Sequence, residues 1–156
     1  KDDIAHLKQK VDCGVDFLTT QMFFDNDIHY NFLYRIREAG INVPVLPGIM
    51  PMTSEKQMKR SQELSGTVFP RRFLALLDRF GSSAAAMEQA GIAYATDQII
   101  DLLSNGVDGI HIYTMNKPHV AAAIMNNLSE IIKAYLIEWK NVFRKLSAIW
   151  GMGKIR

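Results

Sequence analysis

"FLTTQMFFD", the stretch Phe17–Asp25, decides the fold. Its β-branched and aromatic residues are typical of a strand, and their nearly unbroken run predicts a strand over Phe17–Phe24 that is buried on both faces. Gln21 interrupts this run, and a buried amide needs partners for its donors and its acceptor. Because strand side chains alternate, Gln21 shares a face with Thr19 and Phe23 and lies near the carboxyl end of the strand.

Helix and strand patterns alternate on both sides of this stretch. A helical pattern precedes it and ends at Gly14, a typical C-terminal stop. The elements predicted after the first strand are a helix over Asp27–Ala39, a strand over Val43–Pro51, a helix capped by Ser54, helices over Arg71–Phe80 and about Ala84–Leu103, a strand over Asp108–Asn116 and a helix capped by Asn116. This alternation predicts parallel strands joined by helical crossovers, so the fold class is α/β. Three strands are too few for a covered parallel sheet, and we expect more on the N-terminal side.

Composition and length narrow the class of protein. The 156 residues are 48% hydrophobic and 22% charged, which is typical of a globular protein of about one domain. A complete (β/α)8 barrel needs roughly 250 residues. The net charge of +2 is spread without a dense basic block, so we expect no nucleic-acid partner. Cys13 is the only cysteine, which excludes an internal disulfide and favours a reducing, cytoplasmic location. No apolar run approaches the roughly 18 residues of a membrane span, and we expect no membrane partner.

The two ends of the chain carry separate expectations. The chain begins inside a helical pattern without an initiator methionine, which suggests a fragment of a longer polypeptide; a processed or omitted first residue is an equal alternative. The last segment, about Ser129–Trp150, is amphipathic. We expect it to pack on the body of the protein or on another subunit, and a membrane-surface helix is the less favoured alternative. The predicted division is therefore residues 1–128 and a C-terminal amphipathic helix and tail, residues 129–156.

Polar residues cluster where each strand leads into a helix, which is where ligands bind in parallel α/β folds. These residues are Gln21 in the first stretch, Thr53, Ser54 and Gln57 in the second, and Thr114, Asn116 and Lys117 in the third. Gln57 has a structural alternative, since it completes a capping box with Ser54. Lys117 opposes the dipole at its helix start, which favours an anionic ligand nearby. The histidines show no zinc spacing, so no metal is expected.

Together, three segments resemble the methylenetetrahydrofolate reductase family. They are "LKQKVDCGVDFLTTQMFFD", "AGINVPVLPGIMPMTSEKQ" and "GIHIYTMNKP", and the resemblance extends from about Leu7 to Leu128. Their order and spacing are similar to the last three βα units of that family's catalytic barrel. The resemblance implies a (β/α)8 TIM barrel, of which this chain supplies about the last three units plus a C-terminal helix.

The resemblance also implies a flavin chemistry. Members of the family bind FAD, reduce it with NADH or NADPH, and pass the hydride to 5,10-methylenetetrahydrofolate, which becomes 5-methyltetrahydrofolate in one-carbon metabolism and methionine biosynthesis. The implied substrate-binding residues are Gln21, on the pterin, with Gln57 and Lys117. The implied FAD-binding residues are Asp3, His6, Gln9 and Lys10. The family's general acid is a glutamate on the first barrel strand, so no catalytic residue is expected in this chain.

Because the implied active site would be incomplete, two interpretations of this polypeptide remain. In the first, the chain is the C-terminal part of the enzyme and is inactive alone. We expect this protein to be a homo-oligomer or to be completed by N-terminal polypeptide. In the second, it is a non-catalytic barrel fragment that serves as a folate-binding or assembly module. Open barrel edges are expected to drive association of such a fragment.

Overall fold

The computed structural model of the chain describes residues 2–137, which contain seven helices and three strands. In chain order these are α1 (Asp2–Asp12), β1 (Leu18–Met22), α2 (Asn26–Glu38), β2 (Val45–Ile49), α3 (Glu55–Ser65), α4 (Arg71–Phe80), α5 (Ala84–Ser104), β3 (His111–Ile112), α6 (Pro118–Asn127) and α7 (Ser129–Ile137). The predicted α/β class is confirmed. The predicted helix Arg71–Phe80 has the observed bounds, and the other helices differ from prediction by one or two residues at an end.

The three strands form one parallel sheet in the order β1-β2-β3. Leu18 pairs with Val45, and Met22 pairs with Gly48, with an irregular register between Thr19 and Met22. This irregularity places one more residue on β1 than on β2, as in a β-bulge. Within residues 2–137, β1 and β3 each have a strand neighbour on one side only.

Burial along β1 differs from the prediction. From Leu18 to Met22 the residues alternate between half-buried and exposed, and Thr19 and Gln21 are the exposed pair. The prediction of burial on both faces is therefore wrong within the described residues, because the face with Thr19 and Gln21 is left exposed. Phe23 follows the strand and is buried in the core at 7% exposure.

The third strand is much shorter than the predicted Asp108–Asn116, because only His111 and Ile112 belong to it. Met115 and Asn116 have φ angles of 48° and 60°, a left-handed conformation that turns the chain away from the sheet. The prediction that Asn116 caps the next helix is wrong. Lys117 occupies the N-cap position without a side-chain capping bond, and Pro118 is the first residue of α6.

Two hydrophobic clusters support the carboxyl ends of the strands. The first surrounds Ile49 and packs the sheet against α5, α6 and α7. The second is rich in methionine and aromatic side chains and lies around the segment that follows β2; its buried members are Phe24, Met50, Met52, Met58, Phe69, Phe73 and Met87. A third, smaller cluster packs α1 and α2 on Val45 of β2.

The described part of the C-terminal segment is helix α7. It packs through Ile131 and Ile132 on the first cluster, and the Tyr135 hydroxyl donates to the Val107 carbonyl. The tryptophans and other apolar residues that suggested an amphipathic tail, Trp139, Phe143, Leu146 and Trp150, lie outside the described residues. Among residues 2–137 no single helix is long and apolar enough to cross a membrane. Helices α6 and α7 together have the length and the composition of a membrane span, but they are bent by 62° where they meet.

Candidate functional site

The segment that follows β2 is held against helix α5. Met50, Pro51, Met52 and Thr53 are all buried, with Met52 at 1% exposure and Thr53 at 4%. Gly91 of α5 makes this contact close, since a Cβ built there would lie 1.9 Å from the Met52 carbonyl oxygen. The packing therefore fixes the backbone from which the Thr53 hydroxyl extends.

Helix α3 begins directly after Thr53. Ser54 is its N-cap, and the Ser54 hydroxyl accepts a hydrogen bond from the Gln57 backbone N–H at 3.2 Å. The Gln57 side chain turns back over this cap: its Oε1 accepts from the Thr53 N–H at 3.1 Å, and its Nε2 donates to the Pro51 carbonyl at 3.2 Å. Gln57 thus has the structural role that its capping spacing indicated, with the return bond made to Thr53 instead of Ser54.

Lys117 reaches this cap from the other strand end. Its Nζ donates to the Thr53 hydroxyl oxygen at 2.6 Å, and the same hydroxyl donates to Gln57 Oε1 at 3.2 Å. The structure therefore brings together two of the three predicted substrate residues, Lys117 and Gln57, and joins them through Thr53. We call these three side chains the Lys117–Thr53–Gln57 chain. The loops after β2 and β3 carry Thr53 and Lys117, and the first turn of α3 carries Gln57, at the carboxyl ends of two neighbouring strands.

The free groups of the Lys117–Thr53–Gln57 chain are hydrogen-bond donors. The Lys117 ammonium has three N–H groups, of which Thr53 uses one, and Gln57 Nε2 has two, of which Pro51 uses one. Gln57 Oε1 already accepts two bonds from Thr53. A site that offers donors and one positive charge suits a ligand group with acceptor oxygens, above all an anionic one.

Gln21 lies apart from the Lys117–Thr53–Gln57 chain. It is exposed, and its Oε1 accepts from the Met22 backbone N–H at 3.1 Å. It borders a groove of about 440 Å³ between β1 and helices α1 and α2, together with Leu7 and Phe32. In the described part of the chain, no hydrogen bond joins Gln21 to Gln57 or Lys117.

The sheet beside Gln21 is held by a tyrosine that crosses β2. The Tyr113 hydroxyl, just after β3, donates to the Thr20 carbonyl of β1 at 3.1 Å. Gly48 of β2 makes this crossing feasible, because a Cβ there would lie 2.8 Å from the Tyr113 ring and 2.5 Å from the Thr20 oxygen. The Thr20 hydroxyl in turn accepts from the Gly48 N–H at 2.9 Å. All three strands are thus joined next to Gln21.

Helix α5 fixes the loop after β1. Gln98 Nε2 donates to the Phe23 carbonyl at 3.0 Å, and the Tyr94 hydroxyl donates to the Phe24 carbonyl at 2.6 Å. Burial raises the pKa of Tyr94, so this phenol stays a donor. Both carbonyls that follow the strand are therefore satisfied by α5.

The four predicted FAD residues, Asp3, His6, Gln9 and Lys10, are all exposed on α1. The apolar side of this helix, with Ile4, Leu7 and Val11, packs on the third core cluster. The lysine, imidazole and amide groups supply donors for phosphate oxygens, and the Asp3 carboxylate supplies an acceptor for a hydroxyl. This donor set fits the diphosphate and ribityl parts of FAD.

A polar cluster between α2 and α5 lies outside the predicted site. The Tyr30 hydroxyl and the Asn26 amide each donate to Asp101 Oδ2 at 2.6 Å. These two bonds lower the pKa of the Asp101 carboxyl. Burial, and then the bond to Asp101, raises the pKa of Tyr30 to about 12. We interpret this cluster as a structural contact that holds α2 against α5.

His29 is a second polar side chain without a predicted role. It is 2% exposed, and its ring stacks on Phe23 with centroids 5.2 Å apart. Neither ring nitrogen has a hydrogen-bond partner among the described residues, and burial lowers the pKa of His29 to about 4. In residues 2–137, no three side chains of His, Cys, Asp or Glu lie together as a metal site would require.

Comparison with known proteins identifies the family. A sequence model described as methylenetetrahydrofolate reductase matches residues 1–129. The chain belongs to the methylenetetrahydrofolate reductase family. This confirms the family that the three segments indicated, and the matched residues include Gln21, Gln57, Lys117 and helix α1.

Relatives from plants, animals and bacteria agree with the family. "Methylenetetrahydrofolate reductase (NADH) 1" of Arabidopsis thaliana is 35% identical over 150 residues, which are 92% of this chain and 25% of that protein. "Probable methylenetetrahydrofolate reductase (NADPH)" of Caenorhabditis elegans is 33% identical over 90% of this chain and 22% of its own length. "5,10-methylenetetrahydrofolate reductase" of Escherichia coli (strain K12) is 32% identical over 81% of this chain and 43% of its own length. The chain thus spans from about a quarter to less than half of these relatives.

Thr53 is the residue of the site that sequence reasoning left without a role. Its position after β2 marked it as polar at a strand end, but its partner Lys117 is 64 residues away in the sequence. A hydroxyl next to a capping serine gives no local sign of such a distant contact.

Proposed function

We propose that the protein to which this chain belongs reduces 5,10-methylenetetrahydrofolate to 5-methyltetrahydrofolate with FAD and with NADH or NADPH. Membership of the family supports the reaction, and the names of the plant and nematode relatives support the two nicotinamide nucleotides. The proposal includes a (β/α)8 barrel in which the observed parallel sheet, β1-β2-β3, is the last part.

The observation that carries the proposal is the Lys117–Thr53–Gln57 chain. It lies at the carboxyl ends of neighbouring parallel strands, where barrel enzymes bind their substrates. Its free groups are donors, and a folate offers both carbonyl and carboxylate acceptors. Lys117 and Gln57 would therefore orient the substrate by charge and by hydrogen bonding.

Gln21 is proposed as the contact to the pterin ring. It is exposed next to the joined strand ends, and its Nε2 has no hydrogen-bond partner among the described residues, so both N–H groups remain for a ligand. The amide offers the donors that a pterin carbonyl and ring nitrogen accept. The tyrosine crossing through Tyr113 holds the backbone on which Gln21 is placed.

Asp3, His6, Gln9 and Lys10 are proposed to hold FAD, with the Lys10 ammonium beside the diphosphate. When bound, the flavin supplies hydride transfer, and the protein supplies binding and orientation. No catalytic residue is assigned in this chain, and the general acid is proposed to come from the N-terminal part of the barrel. The proposal also includes a cytoplasmic location and a protein that is a homo-oligomer or is completed by N-terminal polypeptide.

The test uses the full-length protein, purified and loaded with FAD. Anaerobic NADH or NADPH should bleach the flavin absorbance, and 5,10-methylenetetrahydrofolate should restore it with formation of 5-methyltetrahydrofolate. A colourless protein that FAD does not stabilise against heat would contradict the proposal. So would a flavin that the nicotinamide reduces and the folate never reoxidises.

The role of Gln21 has its own test in the two half-reactions. Gln21→Ala should slow reoxidation of the flavin by the folate and leave its reduction by the nicotinamide unchanged. Gln62→Ala, a change of the same type at an exposed position of α3, serves as the control. Equal losses in both half-reactions would show that Gln21 is structural.

A further inference from the structure

We infer that Thr53 is a positioning residue for substrate binding, because its hydroxyl fixes both Lys117 and Gln57 in the orientation that binds ligand. The inference deepens the proposed function and rests on it for the identity of the ligand. Thr53 itself is 4% exposed, so it acts through its two neighbours.

The first step is the direction of the hydrogen bonds. An ammonium can only donate, so the Thr53 oxygen accepts from Lys117 at 2.6 Å. The Thr53 proton is then free to point to Gln57 Oε1 at 3.2 Å. The charge on Lys117 therefore sets the direction of both bonds in the chain.

The second step is the state of the Gln57 amide. Its oxygen accepts from the Thr53 hydroxyl and from the Thr53 N–H, so the oxygen is held inward and Nε2 keeps one N–H for a ligand. Without the hydroxyl, the amide oxygen loses one of the two bonds that it accepts, and the amide is held less firmly in this orientation.

The third step is the position of Lys117. A free lysine side chain samples many rotamers, and ordering it on binding costs affinity. Among the described residues, the bond to Thr53 is the hydrogen bond that holds its ammonium. Thr53 therefore preorganises a charge that would otherwise have to be ordered by the ligand.

The test compares variants of the full-length, FAD-loaded protein by titration with 5-methyltetrahydrofolate, read from the flavin spectrum. Thr53→Val keeps the shape and removes the hydroxyl; its Kd should rise about tenfold, which corresponds to about 1.4 kcal/mol. Thr53→Ser restores the hydroxyl and should return the Kd to within about twofold of the wild type. Thr96→Val removes a hydroxyl of similar burial in α5, away from the site, and should leave the Kd unchanged.

A double-mutant cycle separates positioning from a general structural effect. In a Lys117→Met background, Thr53→Val should raise the Kd clearly less than about tenfold, because the ammonium that Thr53 positions is gone and only Gln57 is left for it to position. The full tenfold loss in that background, or no loss in the wild-type background, would overturn the inference. If Thr53→Val lowers the yield of folded protein, Thr53→Ala supplies the same comparison.

One measurement does not need folate. Acetylation of Lys117 by acetic anhydride, followed by mass spectrometry, should be severalfold faster in Thr53→Val than in the wild type and in Thr53→Ser. An unchanged rate would overturn the inference even if the folate proposal holds. A protein that binds no folate but shows the faster acetylation would refute the proposed function and keep the positioning role.

Discussion

Replacing Gly91 with alanine should destabilise the protein, although alanine is the better helix former. Gly91 lies within α5 and is buried against the segment that carries Thr53. An added Cβ would lie 1.9 Å from the Met52 carbonyl oxygen, and Cβ atoms in proteins essentially never approach closer than 3.0 Å. The helix and the segment must therefore separate by at least about 1.1 Å, the difference between these distances.

The size of the effect follows from two opposed terms. Alanine gains about 1 kcal/mol over glycine in a helix interior. Overpacking of a core costs about 1–3 kcal/mol, and the upper end applies because the oxygen belongs to the backbone and cannot rotate away. The expected net loss in the free energy of unfolding is about 2 kcal/mol.

Urea unfolding of Gly91→Ala and the wild type, followed by far-UV circular dichroism, measures this loss. Ala93→Gly, at an exposed position of the same helix, is the matched control and should lose about 1 kcal/mol through helix propensity alone. A Gly91→Ala protein that is about 1 kcal/mol more stable than the wild type would refute the close approach of α5 to Met52.

Three further predictions concern groups outside the Lys117–Thr53–Gln57 chain. Burial lowers the pKa of His29 to about 4, so its contribution to stability is present above the unfolded pKa of about 6.5 and is lost as the pH falls towards 4. Between pH 7 and pH 4.5 this loss is about 2–3 kcal/mol in the free energy of unfolding. Urea unfolding at these two pH values should show the loss in the wild type and not in His29→Phe. The hydrogen bonds from Tyr30 and Asn26 lower the pKa of Asp101, so Asp101→Asn should lower the melting temperature at pH 7. The difference in melting temperature from the wild type should shrink as the pH falls below about 4, and a constant difference would contradict these hydrogen bonds. If the present chain is expressed alone, its open β1 edge should drive association, and Thr19→Lys on that edge should shift the sedimentation coefficient towards that of the monomer. An unchanged sedimentation coefficient would contradict association through this edge.

The helices were predictable because their signals are local. Ser54 and Asp25 cap α3 and α2 through bonds to backbone N–H groups two or three residues on, so a short stretch of sequence contains the whole interaction. Helix α4 has its predicted bounds for a similar reason. The α/β class followed from the order of these elements.

The strand ends were less predictable because they depend on neighbours. The run that predicted nine residues for the third strand ends in the left-handed Met115 and Asn116, and just two of its residues pair with β2. The apolar run around Gln21 predicted burial on both faces, whereas residues 2–137 leave the face with Thr19 and Gln21 exposed; which face is covered depends on the elements that pack on the sheet and not on the strand itself.

The site was predictable in its position but not in its connections. Strand ends indicated Gln57 and Lys117, and the resemblance assigned them to the substrate. That Thr53 joins them depends on a contact between loops far apart in the sequence. The burial of His29 likewise depends on its stacking against Phe23, which no helical spacing reveals.

The most direct test of the central claim is a stopped-flow comparison of the two half-reactions in Lys117→Met of the full-length, FAD-loaded protein. Lys117 and Gln57 are proposed to contact the folate, with Thr53 positioning them, and none of the three is proposed to take part in flavin reduction. Reduction by NADH or NADPH should keep its wild-type rate, and the second-order rate of reoxidation by 5,10-methylenetetrahydrofolate should fall at least about tenfold, as loss of one charge-assisted contact predicts. Reoxidation at the wild-type rate, or an equal loss in both half-reactions, would contradict the assignment of this site to the folate.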